Sequence, residues 1–274
     1  MTHPIPVRRL LFESMPAEEF KPDCVAANPV LSYTCWGVSM YVTFLEPFIV
    51  KSMHRIMDDI KDDDLRENVD RFARQEAQHY QQHQRFNEAL FAQGYPGLNE
   101  RYEILRQDFD RMLEEESDKY CVGFVEGFES YTTQGAIAVF KTGIMNHPET
   151  DPRVADLFNW HLMEEIEHRT VAFDIYDHLY GDYLYRVKMC LIAQGHITRF
   201  IMDCTRIMSA YDVERFGKKY QISLPVRMFN QIGRVILTTR SCLPWYTPHR
   251  YVVPEGVESV SKQDRKSTRL NSSH

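Results

Sequence analysis

The chain runs to 274 residues, 43% hydrophobic and 26% charged, which is enough apolar material for a proper core, while no run approaches the roughly 18 uncharged apolar residues of a membrane span. Twelve Gly and 13 Pro exclude a collagen-like or low-complexity chain, and six cysteines without a Cys-x-x-Cys pair read as reduced core residues. The net charge of −7 conceals a division: residues 1–185 carry 17 Lys/Arg against 33 Asp/Glu, and residues 186–274 carry 15 against 6. Such a split is expected to draw the two portions together within one fold, the alternative being an anionic substrate or surface. The basic residues are spread out and not interleaved with stacking aromatics, which speaks against nucleic acid.

Residues 1–29 hold prolines at 4, 6, 16, 22 and 29, which deny regular helix to most of this stretch and predict an arm laid over the domain. No apolar stretch long enough for a signal peptide precedes Glu13, so a cytoplasmic location is expected. From residue 31 onward, apolar spacings of 3 and 4 predict helices near 34–58, 65–93, 103–142, 153–180, 183–212 and 224–242. The breaks are acidic DDIKDDD at 58–64, GYPG at 94–97, NHPETDP at 146–152 and the Gly181-Asp182 pair. The expected fold is all-α: a four-helix bundle over residues 30–250, its middle connection the 94–102 crossover, with additional C-terminal helices packed outside it. Residues 251–274 read as an irregular tail, and their last ten, RKSTRLNSSH, resemble translated adapter sequence and are set aside.

Polar residues interrupt four otherwise apolar seams. The second helix reads Leu65, Val69, Phe72, Glu76, His79, His83, Phe86, Leu90, and the fourth reads Val154, Phe158, His161, Glu165, His168, Ala172, Ile175, Leu179. The first contributes Glu46 between Val42 and Ile49, and the third contributes Glu129 between Val125 and Thr132. None of these seams carries Lys or Arg, so four buried carboxylates need positive charge from elsewhere. Two divalent metal ions bring four positive charges, with imidazoles as neutral ligands.

The expected ligand set is therefore Glu46, Glu76, His79, Glu129, His161, Glu165 and His168. Glu46, Glu129 and Glu165 are the carboxylates expected to take part in the chemistry. Glu76-x-x-His79 and Glu165-x-x-His168 each place two ligands on one helical face, as in the ferritin-like carboxylate proteins. Glu46 precedes Pro47, so the first helix is expected to kink or begin there. Glu126, one turn before Glu129, is its rival. His161 is read as a third nitrogen ligand, His83 as a more remote partner, and Glu164 and Glu167 as flanking carboxylates. Tyr33, Tyr80 and Tyr131 stand near the expected site, where packing is a commoner role than electron relay.

The segments QEAQHYQQHQRFN at 75–87 and WHLMEEIEHRTVAFDIY at 160–176 resemble the bacterial family labelled predicted metal-dependent hydrolases, which itself resembles ferritin-like proteins. The likeness spans roughly residues 30–250. It implies Glu46 within TFLEPF and Glu129 within ESYTT as site residues, with Ser130 standing where the family usually has histidine. The order His161, Glu165, His168 is more distantly similar to the arylamine N-oxygenase type of di-iron enzyme.

Mixed glutamate and imidazole ligation suits iron first and manganese next, and zinc less well. Three functions use the same residues: an oxygen-dependent oxidase or oxygenase on a small organic substrate, a two-metal hydrolase of an ester, amide or phosphoester, and a non-catalytic metal-binding bundle. The expected partners are a small-molecule substrate, an electron-donor protein for the first function, and a second copy in a homodimer.

Overall fold

The structure is a computed structural model that describes residues 5–254, and those residues are all-helical, without a strand. Of the tail expected at 251–274, residues 251–254 are irregular and 255–274 lie outside the described residues. Eight helices follow in order: α1 (Pro29–Ile56), α2 (Asp63–Phe91), α3 (Leu98–Glu115), α4 (Asp118–Thr142), α5 (Pro152–Glu167), α6 (Val171–Leu179), α7 (Tyr183–Phe216) and α8 (Leu224–Ser241).

Most helices start on a side-chain cap that the sequence spells out. Asn28 accepts from the Val30 and Leu31 amides with Pro29 in the first turn, Asp62 accepts from Leu65, and Asp151 accepts from Arg153 ahead of α5. Asp182 does the same for α7.

Four expectations need correction. The helix predicted over 103–142 is two helices, because Glu116 is extended and Ser117 caps α4 through the Tyr120 amide. The apolar phase on either side of that break is similar, which hides it from a periodicity reading. The helix predicted over 153–180 is also two: the Arg169 guanidinium donates to the Ile166 carbonyl and Val171 N–H bonds back to His168, tightening the chain into a turn. No glycine or proline marks that place. Helix α1 begins at Pro29 and runs through Pro47. The bond lost at proline is outweighed by burial of Leu45, Phe48 and Ile49 around it. Finally, the 94–102 crossover is only a tight turn, with Gly94 and Gly97 at positive φ, and α3 itself makes the connection to α4.

Helix α1 is the most enclosed element, flanked by α2, α3, α4 and α7 and contributing Trp36, Met40, Tyr41, Leu45 and Phe48 to the core. Helices α4 and α7 approach at backbone distance: a Cβ on Gly127 would stand 2.8 Å from the Met189 carbonyl oxygen and 2.9 Å from the Cys190 Cα. The described part of the arm, from residue 5, holds only one short helical turn at Ala17–Glu19 and buries Ile5, Met15, Cys24 and Val25. Across the charge division, Arg186 pairs with Glu126 and Lys219 with Asp23. All six cysteines are free, four of them buried and Cys35 and Cys242 half-buried.

Candidate metal centre

The interrupted seams of α1, α2, α4 and α5 converge. Two groups form, each with ligand-type atoms within 4.8 Å of one another: Glu46, His79 and His161, and Glu76, Glu129, Glu165 and His168. All seven side chains are buried. His168 closes α5 rather than lying within a longer helix, yet its N–H still bonds back to the Glu164 carbonyl, which keeps it on the side of His161 and Glu165.

The groups adjoin through shared carboxylates. Glu165 lies 3.0 Å from His161 Nε2 by one oxygen and 3.5 Å from His168 Nε2 by the other. Glu76 Oε1 lies 3.7 Å from His79 Nδ1 and 3.5 Å from His168 Nε2. Glu46 Oε1 stands 3.4 Å from His161 and 4.0 Å from His79, and Glu129 Oε2 stands 3.3 Å from His168.

The inward atoms are orphans. Both oxygens of Glu46 and of Glu129, Glu76 Oε1, Glu165 Oε2, His79 Nδ1 and His168 Nε2 are buried without a hydrogen-bond partner. A buried polar atom left unpaired costs about 1–3 kcal/mol, more when charged, so this concentration at one point is far too unfavourable to be a satisfied core. The titration behaviour agrees. Burial, then the carboxylates of Glu76, Glu165 and Glu129, push Glu46 well above the usual carboxylate range. Burial and Glu165 do the same to Glu129, despite His168 beside it. For Glu165 burial is opposed by His168 and His161, which hold it well below that range. Without further positive charge these groups can only compete for protons.

Outward, each imidazole is tied down by its other nitrogen. His79 Nε2 donates to Glu164 at 3.0 Å, and His168 Nδ1 donates to Gln75 Oε1 at 3.0 Å, which turns His79 Nδ1 and His168 Nε2 inward, where the neighbouring carboxylates favour a proton on each unless another cation takes its place. His161 Nδ1 meets His83 Nε2 at 2.6 Å, and His83 Nδ1 meets Ser39 Oγ at 2.9 Å, whose proton goes to Asn87 Oδ1 at 2.7 Å. Run in that direction, every donor in the chain finds an acceptor, and His161 Nε2 is left bare. Burial and the neighbouring His161 and His79 drive the His83 pKa well down, which keeps it neutral in this role. For His79, burial is overcome by the Glu164 hydrogen bond and the nearby Glu76 carboxylate, which lift it to about 9.

Glu164 and Glu167, read from the sequence as flankers, are held by a residue that reading missed. Arg8 of the arm donates to Glu164 Oε1 at 2.7 Å and to both oxygens of Glu167, and Gln75 in turn donates to Glu167 and to the Pro6 carbonyl. Nothing in a proline-rich arm signals this. Arg8 is thus a buried cation near the site, but its partners are Glu164 and Glu167, not the four inward carboxylates. Glu126, the rival of Glu129, turns to α7, where Arg186 Nη1 lies 3.2 Å away and Cys190 Sγ 3.4 Å. Ser130 is also on that side, donating to the Gly127 carbonyl and accepting from Gln194. Of the three tyrosines, Tyr33 donates to buried Asp212 at 2.8 Å, and Tyr80 and Tyr131 are half-buried.

Phe72 packs edge-on against His168, Trp160 against His79 and Phe158 against His83, enclosing the centre in aromatic rings. Among the described residues no helix is long and apolar enough to cross a membrane. No curated protein and no solved structure matches the chain significantly. The profile of one family, described as predicted metal-dependent hydrolase, matches residues 6–251. With nearly the whole length covered, including both histidine-bearing segments and the arm's Arg8, the chain belongs to that predicted metal-dependent hydrolase family.

Proposed function

We propose that the protein is a dinuclear iron enzyme that uses dioxygen to oxidise a small organic substrate, built on a ferritin-like bundle of α1, α2, α4 and α5. The observation that carries this reading is the set of orphaned inward atoms: oxygens of four carboxylates and the imidazole nitrogens His79 Nδ1 and His168 Nε2, buried together and lacking partners. This donor set fits two divalent cations, whose charge matches four glutamates, and oxygen-rich ligation with imidazole suits iron, with manganese as the substitute.

Glu46, His79 and His161 would hold one ion, and Glu129 and His168 the other, with Glu76 and Glu165 shared between them. A ferrous pair would supply two of the four electrons that take dioxygen to the level of water, the substrate supplying the other two. The chain's own residues do the rest. Glu164, Gln75 and His83 fix the imidazoles, anionic glutamates favour the higher oxidation state, and Phe72, Phe158 and Trp160 keep bulk water from an oxidant. An electron-donor protein would return the pair to the reduced state.

A second reading has the family description behind it: a redox-inert metal pair in the same residues, serving water-dependent cleavage of an ester, amide or phosphoester. One experiment separates the two. Protein purified and reduced without oxygen is analysed for metal, then mixed with oxygenated buffer while absorbance and oxygen uptake are followed. Two irons per chain with oxygen uptake in proportion are expected. Two redox-inert ions, no uptake and cleavage of model esters would replace oxidation by hydrolysis.

A further inference from the structure

Helix α8 rests on α4 and α7 through the polar side of its last turns: Gln134 Nε2 donates to Ser241 Oγ at 2.8 Å, and Arg186 donates to the Ser241 carbonyl at 3.0 Å. Its apolar side faces out. Leu224, Met228, Ile232, Val235 and Ile236 are between 57% and 69% exposed, and at 3.6 residues per turn they fall within an arc of about 120°. A helix of a globular domain ordinarily turns such a stripe to the core. Just past the helix, Trp245 is also exposed.

Along the segment itself the charge is of one sign. From Gly217 to Pro254 the sequence holds Lys218, Lys219, Arg227, Arg234, Arg240 and Arg250, and no Asp or Glu. Arg240 is exposed beside the apolar stripe. We propose that the outer face of α8 is a docking surface for an anionic lipid bilayer: the stripe enters the boundary between headgroups and acyl chains, and exposed basic residues such as Arg240 meet lipid phosphates.

The charge pattern selects this occupant over a second copy of the chain. A two-fold pairing along α8 would set two wholly basic segments against each other. The five side chains also present on the order of 500 Å², short of the roughly 800 Å² per partner in a standard stable interface. Residues 255–274 offer only Val257, Val260 and Leu270 as aliphatic side chains, without the spacing to cover the stripe.

The test is co-sedimentation of the metal-loaded protein with phosphatidylcholine vesicles, with and without phosphatidylglycerol. Binding is expected only to the anionic vesicles and to weaken as salt shortens the range of the charges. The variants Ile232→Asp and Val235→Asp should each lower binding at least tenfold, and Arg240→Glu should lower it further at low salt than at high. Circular dichroism and metal content should not change, since these side chains face solvent. A wild-type protein that stays in the supernatant with anionic vesicles, or variants that bind as the wild type does, would overturn the proposal. So would a lipid-free dimer in light scattering that Ile232→Asp dissociates, which would hand the face to a second copy.

Discussion

Glu165 shows at the scale of one residue why the site needs more than a motif. Its two oxygens reach imidazoles of both candidate groups, so in the proposed centre it would serve both ions. Removing it should cost both ions: Glu165→Ala is expected to retain less than one metal ion per chain by elemental analysis, and full retention would remove it from the ligand set. Glu126 makes the opposite case. Spacing alone left it as the rival of Glu129, because residues three apart share a face. Its carboxylate instead neutralises buried Arg186. Glu126→Ala should therefore keep the metal and lose about 3 kcal/mol of stability by leaving Arg186 unpaired, measured by urea unfolding. Arg8 acts at one remove, through Glu164 onto His79 and through Glu167 and Gln75 towards His168. Arg8→Ala should weaken metal affinity about 10- to 100-fold in a chelator competition, with the ligands themselves intact. Wild-type affinity in that variant would reduce Arg8 to a structural ion pair.

At the scale of the element, the ligand seams were legible because a helix repeats its faces regardless of what caps it. Stepping by 3 and 4 along residues 65–90 and 154–179 aligns polar and apolar residues whether or not the helix is interrupted. For that reason the breaks at Ser117 and at His168–Thr170 escaped the reading without damaging it. Ser117 followed by Asp118 is a capping signal that a long apolar period outweighed. The turn after His168 has no local signal, since it depends on an arginine reaching its own helix end. Close approach is equally invisible in a pattern. Gly127 lets α4 meet the α7 backbone, so Gly127→Ala should destabilise the fold by about 2 kcal/mol, because the Met189 carbonyl and Cys190 Cα are main-chain atoms that cannot swing aside. A urea midpoint equal to the wild type would mean that α7 can shift.

For the molecule as a whole, the proposed centre would link metal binding to folding. Ions that bind only the folded chain stabilise it by about 4 kcal/mol at a thousandfold excess over Kd, so chelation should lower Tm by on the order of 10 °C, restored by adding metal back. An unchanged Tm after verified metal removal would argue that the orphaned carboxylates find partners without it. The charge division also has a molecular meaning: a few pairs such as Arg186–Glu126 and Lys219–Asp23 join the two portions, while Arg240 and Arg250 remain turned to solvent.

Periodicity, charge and the absence of cations on four seams were enough to specify an all-helical chain and to single out seven side chains, because burial of like charges is a constraint that one-dimensional spacing already expresses. Which neighbour completes each of those side chains was decided only in three dimensions. Arg8, Gln75, Ser39 and Asn87 lie on separate stretches of the chain, and hydrogen-bond partnership depends on ångström-scale meeting of surfaces that no repeat along one helix encodes. The same holds for α8, whose sequence reads as an ordinary amphipathic helix until packing reveals which side it turns outward.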